Sequence, residues 1–378
     1  MPTRPTQIVQ LLQQREAEFH AFDERLFQGL QDYRQAAQQL QDFSDSLGVI
    51  LEPLESLESG VFPWPLQWSS REDSLAWVRQ QLTGIATFAV DGSQIYPTKD
   101  FSLPVALIQI GWFENLHQPQ GQYHKDIRLD LLTPLQLRDA QGGQSEEGSD
   151  RLVNMRRFAM ETERMQEYME EHAGDPHCLV FLDGSLVATF AQSFDGEMRA
   201  FYAQCLRRLL QSSEDNRVPI VAYVDTSYAR DLTEVLQRGF RLPEMSGIHD
   251  AQIFHVLMKW GDRTPLMRCQ RPILQDYYFD QKDRIGYLYL KTNEGYPARL
   301  ELPLWIAEEG RLETILDWVR GEVIIGSGYP YVIETADQVA VLQADDRYHF
   351  YRILQDWAEQ QGIHLRLSRK MVSKVRRR

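Results

Sequence analysis

The hydrophobic pattern of the first fifty residues has a period of seven. One apolar row runs through Leu12, Phe19, Leu26, Tyr33, Leu40 and Leu47, and a second, shorter row through Phe22, Ala36 and Phe43. A heptad period indicates helix with an apolar seam, although Arg15 and Gly29 interrupt the second row. The pattern predicts an N-terminal helical arm that either packs on the main domain as a hairpin or forms a coiled-coil dimer.

A linker with Pro and Trp, residues 53–68, leads into alternating strand-like and helix-like patterns. Apolar runs predict strands at 85–90, 105–112, 127–132, 178–182, 218–224, 285–290 and 298–302. Helical spacing predicts helices at 152–172 and 197–211, near Leu232 and Ile253, and twice at the carboxyl end. Three strands followed by alternating helices and strands is the order of an RNase H-like domain. The predicted fold class is therefore α/β, with a mixed sheet flanked by helices and preceded by the coiled-coil-like arm.

Composition and charge narrow the class of protein. Hydrophobic residues make up 43% and charged residues 25%, as in soluble globular proteins. The net charge of -14 argues against a surface that coats nucleic acid. Residues 366–378, however, hold seven Lys or Arg and no acid, so this tail either contacts phosphates or is a solvated terminus. The boundaries predicted are 1–60 for the arm, 61–365 for the main domain and 366–378 for the basic tail.

Cysteine usage and hydropathy bear on the compartment. The three cysteines, Cys178, Cys205 and Cys269, are far apart in sequence, which suggests neither a disulfide framework nor a zinc site. The longest apolar stretch is well short of the roughly 18 residues that span a bilayer. A cytoplasmic protein without a membrane partner is predicted.

A short pattern occurs three times, each time at or near the end of a strand-like run. It reads Phe88-Ala89-Val90-Asp91-Gly92-Ser93, then Val180-Phe181-Leu182-Asp183-Gly184-Ser185, then Ala222-Tyr223-Val224-Asp225-Thr226-Ser227. A single Asp-Gly is more often a hairpin turn than a site. Three copies instead predict acids that converge beyond the carboxyl ends of strands, where functional residues of α/β sheets gather.

A fourth acid is expected from the helix at 152–172. Its apolar stripe contains Phe158, Met165, Tyr168 and Met169 at helical spacing. Glu161 lies within this stripe, whereas Glu163 lies on the charged face. Glu161 is therefore the better candidate for an inward-pointing acid, and the alternative is a Glu at the edge of the stripe that extends to solvent.

Converging carboxylates repel one another unless a cation neutralises them. Mg²⁺ and Mn²⁺ prefer oxygen ligands and retain waters, which leaves room for a substrate phosphate. Two such ions roughly 3.5–4 Å apart can activate a water and stabilise the leaving oxygen of a phosphodiester. The pattern of acids thus predicts a nuclease that depends on a divalent metal.

At these residues the sequence resembles the NurA family, nucleases that act with HerA-type hexameric ATPases in DNA end processing. The resemblance covers roughly 88–346, and its most specific elements are the two Asp-Gly-Ser motifs, the Glu-bearing helix between them and the segment 328–337. It implies an RNase H-like fold and a deoxyribonuclease that uses Mn²⁺ or Mg²⁺, with two ions expected. It also implies 5'-3' exonuclease and single-strand endonuclease activity in double-strand break repair, and a homodimer that docks on a HerA-type ATPase.

The resemblance also assigns residues. Asp91 and Asp183 become the central metal ligands, Glu161 the ligand from the helix, and Asp337 a late ligand at a position where archaeal members tend to have His. Asp still supplies an oxygen to a hard metal. Tyr329 either orients phosphate or a ligand, or packs against the sheet.

The third motif departs from the family pattern. Asp225 stands where archaeal relatives often carry Lys, so it either adds a metal ligand or has a structural role. Arg230 is the candidate that replaces the missing positive charge and contacts DNA. His349 is a candidate proton carrier, with a surface or packing role as its alternative.

Two other functions are compatible with parts of the sequence. An actin-like ATPase would place an Asp-bearing hairpin around phosphates, but its loop usually has one residue between Asp and Gly, and no nucleotide-binding glycine motif is present. A catalytically degenerate DNA-binding or scaffold subunit of an ATPase complex fits the charge of -14 and the altered third motif. It gives no reason to retain Asp91, Glu161, Asp183 and Asp337 together.

Overall fold

The computed structural model describes residues 4–39, 52–55, 60–139 and 146–366. The strands are β1 Glu52–Pro53, β2 Ala86–Ile95, β3 Ala106–Asn115, β4 Tyr123–Leu132, β5 Cys178–Asp183, β6 Ile220–Val224, β7 Met267–Arg268, β8 Ile285–Leu290 and β9 Ala298–Pro303. The helices are α1 Pro5–Gln14, α2 Glu16–Gln39, α3 Arg71–Leu82, α4 Pro134–Asp139, α5 Glu146–Glu171, α6 Gly196–Asn216, α7 Asp231–Gly239, α8 Asp250–Phe254, α9 Pro272–Tyr277, α10 Trp305–Glu308, α11 Leu312–Ile325, α12 Tyr331–Ala340 and α13 Ala344–Gln360. None of the helices within the described ranges is long and apolar enough to cross a membrane.

The chain divides into two compact units. The larger unit comprises Gln67–Tyr223, Arg271–Ile285 and Glu301–Arg378, and the smaller one Met1–Leu66, Val224–Gln270 and Gly286–Leu300. In the larger unit, five strands lie in the order β6-β5-β2-β3-β4. Strands β2, β3 and β4 are antiparallel neighbours, while β5 runs parallel to both β2 and β6. A mixed sheet flanked by helices confirms the α/β class.

The sequence of the larger unit explains its layers. The residues of β5 before its final Asp are all apolar and buried, as expected for a parallel strand covered on both faces. Helices α5 and α6 pack together, and α5 also contacts β2 and β3. Helix α12 contacts the same two strands. Phe88 of β2 stacks on Tyr168 of α5, with ring centroids 3.9 Å apart, so the even-numbered residues of β2 face α5.

Strand β2 is longer than the pattern predicted, and this changes the setting of the first motif. The prediction ended the strand at residue 90, whereas β2 continues to Ile95 and therefore includes Asp91, Gly92 and Ser93. Its parallel pairing with β5 ends at Ala89, but its antiparallel pairing with β3 continues to Ile95. The first Asp-Gly is therefore not a hairpin turn. The other two motifs lie as predicted, since Asp183 ends β5 and Asp225 follows β6.

The smaller unit contains the N-terminal helices and the strand order β1-β7-β8-β9, with β8 beginning and β9 ending beyond its boundaries. Helix α2 packs on α7 and α8 through its carboxyl half, where Tyr33 is fully buried and donates a hydrogen bond to the carbonyl of Pro243 at 2.9 Å. A side chain at Gly29 would lie 2.0 Å from the sulfur of Met245. This half of the arm packs on its own chain.

The amino half of the arm presents its apolar residues to solvent. Helix α1 ends at Gln14, just before the interrupting Arg15. Leu12 is 51% exposed and Phe19 56%. Leu40 and Leu47, the last two residues of the predicted row, lie outside the described residues. A coiled-coil dimer stays a prediction.

Candidate active site

Strand β2 presents Asp91 and Gly92 to opposite sides of the sheet. Successive side chains of a strand point to opposite faces, and the neighbours of β2 identify each face. Thr87 donates a hydrogen bond to Glu322 of α11 at 2.7 Å, and Ser93 donates one to the carbonyl of Ala340 of α12. Asp91 is odd-numbered like Thr87 and Ser93, so its side chain points to the same face of the sheet, toward α12. Gly92 lies on the opposite face, toward α5.

Asp91 meets Asp337 of α12 on its face of the sheet. The amide of Gly92 donates a hydrogen bond to Oδ1 of Asp91 at 2.7 Å. Burial is the main cause that raises the pKa of Asp91 to about 6, and a hydrogen bond shared with Asp337 and the negative charge of Asp337 add to it. Two carboxylates this close need a proton or a cation between them. The late acid identified by resemblance is thus brought beside the first motif.

Glu161 approaches the same place from the opposite face. A Cβ at position 92 would lie 2.4 Å from Oε1 of Glu161 and 2.8 Å from Cγ of Arg157, so any larger residue would force these two side chains to shift. Glu161 is 8% exposed. Burial, to which the charges of Asp91 and Asp183 add, raises the pKa of Glu161 to about 8, while Arg157 opposes the rise. The glycine of the motif therefore lets acids from both faces come together.

Asp183 ends the neighbouring strand and is held by Tyr329. The Tyr329 hydroxyl donates a hydrogen bond to Oδ1 of Asp183 at 2.9 Å. The Tyr329 ring packs edge-on against Tyr223, with centroids 5.3 Å apart, and Tyr223 is the cross-strand partner of Asp183 on β6. Tyr329 therefore packs on the sheet and donates a hydrogen bond to a candidate ligand, and its role in orienting phosphate or a ligand stays a prediction.

Helix α12 is fixed at both ends, which sets the position of Asp337. At its start, the buried Glu322 accepts a hydrogen bond from the amide of Val332 at 2.9 Å and pairs with His117 at 3.0 Å. Burial lowers the pKa of His117. The hydrogen bond and charge of the Glu322 carboxylate, together with backbone hydrogen bonds, raise it by more, so the pKa lies above its ordinary value. At its end, the carbonyl of Ala340 accepts hydrogen bonds from Ser93 and from Gln109.

The close approach of α12 to the sheet depends on Gly111 of β3, the cross-strand partner of Asp91. A Cβ at Gly111 would lie 2.7 Å from the backbone nitrogen of Ala340. Sequence reasoning missed Arg157, Glu322 and Gln109. Glu322 could have been found, since it interrupts an apolar run of α11 as Glu161 interrupts that of α5.

Three other candidates lie outside this cluster. Glu163 is exposed and pairs with Arg156 at 3.4 Å. His349 is exposed on α13. Asp225 is exposed, belongs to the smaller unit and accepts a hydrogen bond from the hydroxyl of Thr226 at 3.3 Å.

Arg230, the predicted DNA contact, also belongs to the smaller unit. Its Nε and Nη2 atoms are buried and have no hydrogen-bond partner among the described residues. Burial lowers the pKa of His249, and the positive charge of Arg230 lowers it further. Burial raises the pKa of Tyr33, and the charge of Arg230 partly opposes that rise. The two acids that follow Arg230 most closely in sequence pair with other arginines, Asp231 with Arg299 at 2.9 Å and Glu234 with Arg238 at 3.6 Å. Buried guanidinium nitrogens without a hydrogen-bond partner are costly unless an anion binds them.

The chemistry of the cluster fits a hard divalent cation. Asp91, Glu161, Asp183 and Asp337 offer carboxylate oxygens only, the donors that Mg²⁺ and Mn²⁺ prefer. In the described ranges, no group of three or more His, Cys, Asp or Glu side chains is arranged so that it could hold a metal ion. The donor types of the four acids nevertheless fit a hard divalent cation.

The fold and this cluster define a class, a mixed α/β protein with carboxylates from both sheet faces gathered around one glycine. A comparison with protein families identifies the family within this class. The model of the NurA domain matches residues 85–342, more than half of the chain, so the chain belongs to the NurA family of nucleases, as the sequence motifs predicted.

Other comparisons add little. No curated protein matches the sequence. Among solved structures, the catalytic domain of human Endonuclease V is similar with 13% identity over 79% of this chain and 93% of that one, at a TM-score of 0.31. Argonaute from Aquifex aeolicus is similar with 9% identity over 68% of this chain and 28% of that one, at a TM-score of 0.22. Likenesses this low carry no argument about fold or function.

Proposed function

We propose that this protein is a deoxyribonuclease dependent on Mn²⁺ or Mg²⁺, with an RNase H-like domain at 61–365 between the helical arm and the basic tail. The observation that carries the proposal is the meeting of Asp91 and Asp337 on one face of β2 with Glu161 on the other, across Gly92. Membership of the NurA family supports DNA as the substrate. Buried carboxylates that raise one another's pKa are typical of functional sites.

The side chains have separate roles in this proposal. Asp91, Asp183, Asp337 and Glu161 would hold the metal, which when bound would supply the activation of a water and the stabilisation of the leaving oxygen of the phosphodiester. Tyr329 fixes the rotamer of Asp183 through its hydroxyl. Glu322 and Ser93 fix the helix that carries Asp337.

Wider properties follow from the family and are part of the proposal. They are 5'-3' exonuclease and single-strand endonuclease activity, a role in DNA end resection in the cytoplasm, a homodimer, and a HerA-type ATPase as partner. Arg230 supplies a cation to the DNA backbone, which fits two of its guanidinium nitrogens, Nε and Nη2, that are buried and have no hydrogen-bond partner among the described residues.

The deciding experiment is a cleavage assay with the full chain on single-stranded DNA and on linear duplex DNA. It is run with Mn²⁺, with Mg²⁺ and with EDTA, each with and without a HerA-type ATPase. We expect cleavage that EDTA stops and that Asp183→Asn abolishes. Asp276→Asn, a change at an exposed acid of α9, is the matched control and should cleave normally. Intact DNA in every metal condition would refute the proposal.

A further inference from the structure

Arg157 of α5 inserts its guanidinium between two parts of the candidate site. It lies one helical turn before Glu161, and its Nη1 donates a hydrogen bond to Oε1 of Glu161 at 2.8 Å. The same nitrogen donates to the carbonyl of Gly92 at 3.1 Å. The side chain is 28% exposed, whereas that of Glu161 is 11% exposed.

The Arg157 guanidinium has more N–H donors than its hydrogen bonds to Glu161 and Gly92 use. Its Nε is buried and has no hydrogen-bond partner in the part of the chain that the structure describes. A guanidinium carries five N–H donors, and the bonds to Glu161 and Gly92 both come from Nη1. The charge also acts beyond its direct partner, because it favours the ionised form of Asp91.

We propose that Arg157 is a positioning residue that occupies the place of a cation beside Glu161 and Asp91, and that it must leave Oε1 of Glu161 when a divalent metal binds there. The inference rests on the proposed function. Its physical basis is that a guanidinium and a metal ion repel each other and compete for the same carboxylate oxygen.

The displacement of Arg157 from Glu161 has a direct consequence for metal affinity. A buried Glu161 without any counter-charge would be costly, so Arg157 stabilises the metal-free protein while it opposes metal binding. When Glu161 takes a metal, the guanidinium is released at the partly exposed edge of α5. There it becomes available to an oxyanion, for which its planar donors are suited.

The test compares Mn²⁺ binding to Arg157→Gln and to the wild type without DNA, by the electron paramagnetic resonance signal of free Mn²⁺. We expect Arg157→Gln to bind Mn²⁺ about tenfold more tightly and to melt at a lower temperature in EDTA. Arg156→Gln is the matched control, since Arg156 is the adjacent residue and pairs with Asp130 and Glu163 instead. Its Mn²⁺ affinity should stay within about twofold of the wild type.

A second measurement needs only the folded wild type. Titration with diamagnetic Mg²⁺ should shift the ¹⁵N signals of the Arg157 guanidinium, assigned with Arg157→Lys, in step with metal occupancy. Unchanged Arg157 signals at saturating Mg²⁺ would overturn the inference, as would equal or weaker Mn²⁺ binding by a folded Arg157→Gln. A wild type that binds neither ion would overturn the proposed function as well, which separates the two failures.

Discussion

Residues 90–93 and 224–227 have nearly the same sequence, yet the two segments place their Asp in different surroundings. Asp91 lies within β2, is half-buried, and has acids and an arginine around it from two helices. Asp225 follows β6, is exposed, and accepts a hydrogen bond from the next residue. A local pattern therefore identifies where an acid is presented, whereas helices remote in sequence decide whether other acids join it.

The residue after the Asp is the chemical difference between the segments. Gly92 leaves space that Glu161 and Arg157 fill. Thr226 stands at the equivalent position of the third motif and carries a side chain whose hydroxyl turns back to Asp225. The comparison suggests that glycine at this position admits a second acid, and each prediction below tests it.

Replacing the Asp of each motif by asparagine should give the largest difference in activity between the first and the third motif. Asp91→Asn removes a charged oxygen from the centre of the cluster, and cleavage of DNA should fall by at least about 100-fold, because even outer partners of metal ligands typically contribute 10–100-fold. Asp225→Asn should keep activity within about threefold of the wild type. Initial rates of cleavage with Mn²⁺ measure both. Equal losses in the two variants would make Asp225 part of the same site.

A methyl group at position 92 should cause the next largest loss of activity after Asp91→Asn. Gly92→Ala places a carbon 2.4 Å from Oε1 of Glu161, which should lower the free energy of unfolding by about 1–3 kcal/mol and cleavage by at least tenfold. Thr226→Ala, its counterpart, removes atoms from an exposed position and should change stability by less than about 0.5 kcal/mol. Urea denaturation and cleavage rates provide the measurements. Normal activity in Gly92→Ala would contradict the approach of Glu161 across this glycine.

The sequence alone could identify the parts of this site but not their assembly. Apolar runs and helical spacing identified the strands and placed Glu161 on the inner face of its helix, because local periodicity reports which face is buried. The extension of β2 through Asp91 depends on pairing with β3, which is a tertiary interaction. No local signal could therefore distinguish a strand from a turn there.

Other residues of the candidate site could be predicted only from the resemblance to a family, or could not be predicted at all. Asp337 lies on an exposed helix position and meets Asp91 only because Gly111 lets α12 approach the sheet. Arg157 follows the ordinary spacing of a helical ion pair with Glu161, which is common at exposed sites. Its place inside the cluster depends on packing.

The hydroxyl of Tyr329 should have a smaller effect than the acids. Tyr329→Phe keeps the edge-on contact with Tyr223 and removes only the hydrogen bond to Asp183. Cleavage should fall by about tenfold, the lower range for outer partners of metal ligands, with little change in melting temperature. Tyr228→Phe, at an exposed tyrosine of the third motif's loop, is the control. A Tyr329→Phe variant with full activity would leave Tyr329 with a packing role alone.

The pH dependence of stability should also single out the first motif. Both Asp91 and Glu161 have a pKa raised above the ordinary range, to about 6 and about 8. A raised pKa means that the folded protein holds these protons more tightly than the unfolded chain does. Stability is then present below the unfolded pKa and is lost as pH rises through 6 and 8, by up to about 1.4 kcal/mol per pH unit for each proton.

Urea denaturation in EDTA between pH 4.5 and 9 measures this loss. Glu161→Gln cannot ionise, so its stability should decline less steeply above pH 6 than that of the wild type. Asp225→Asn should follow the wild-type curve throughout. Parallel curves for Glu161→Gln and the wild type would show that Glu161 does not titrate in this range.

The smallest effect is expected at Arg230, and it tests what the third motif contributes instead of a metal ligand. Arg230→Gln removes a cation whose Nε and Nη2 have no partner among the described residues. If it contacts one phosphate, DNA affinity should fall several-fold, and the slope of log affinity against log salt should decrease by about 1. Binding of single-stranded DNA in EDTA at several salt concentrations gives both quantities without cleavage. Arg238→Gln, at an exposed arginine of α7 that pairs with Glu234, should leave the slope unchanged. An unaltered slope in Arg230→Gln would restrict the role of its guanidinium to the folded core of the smaller unit, and the two motifs would then differ in surroundings without sharing a substrate.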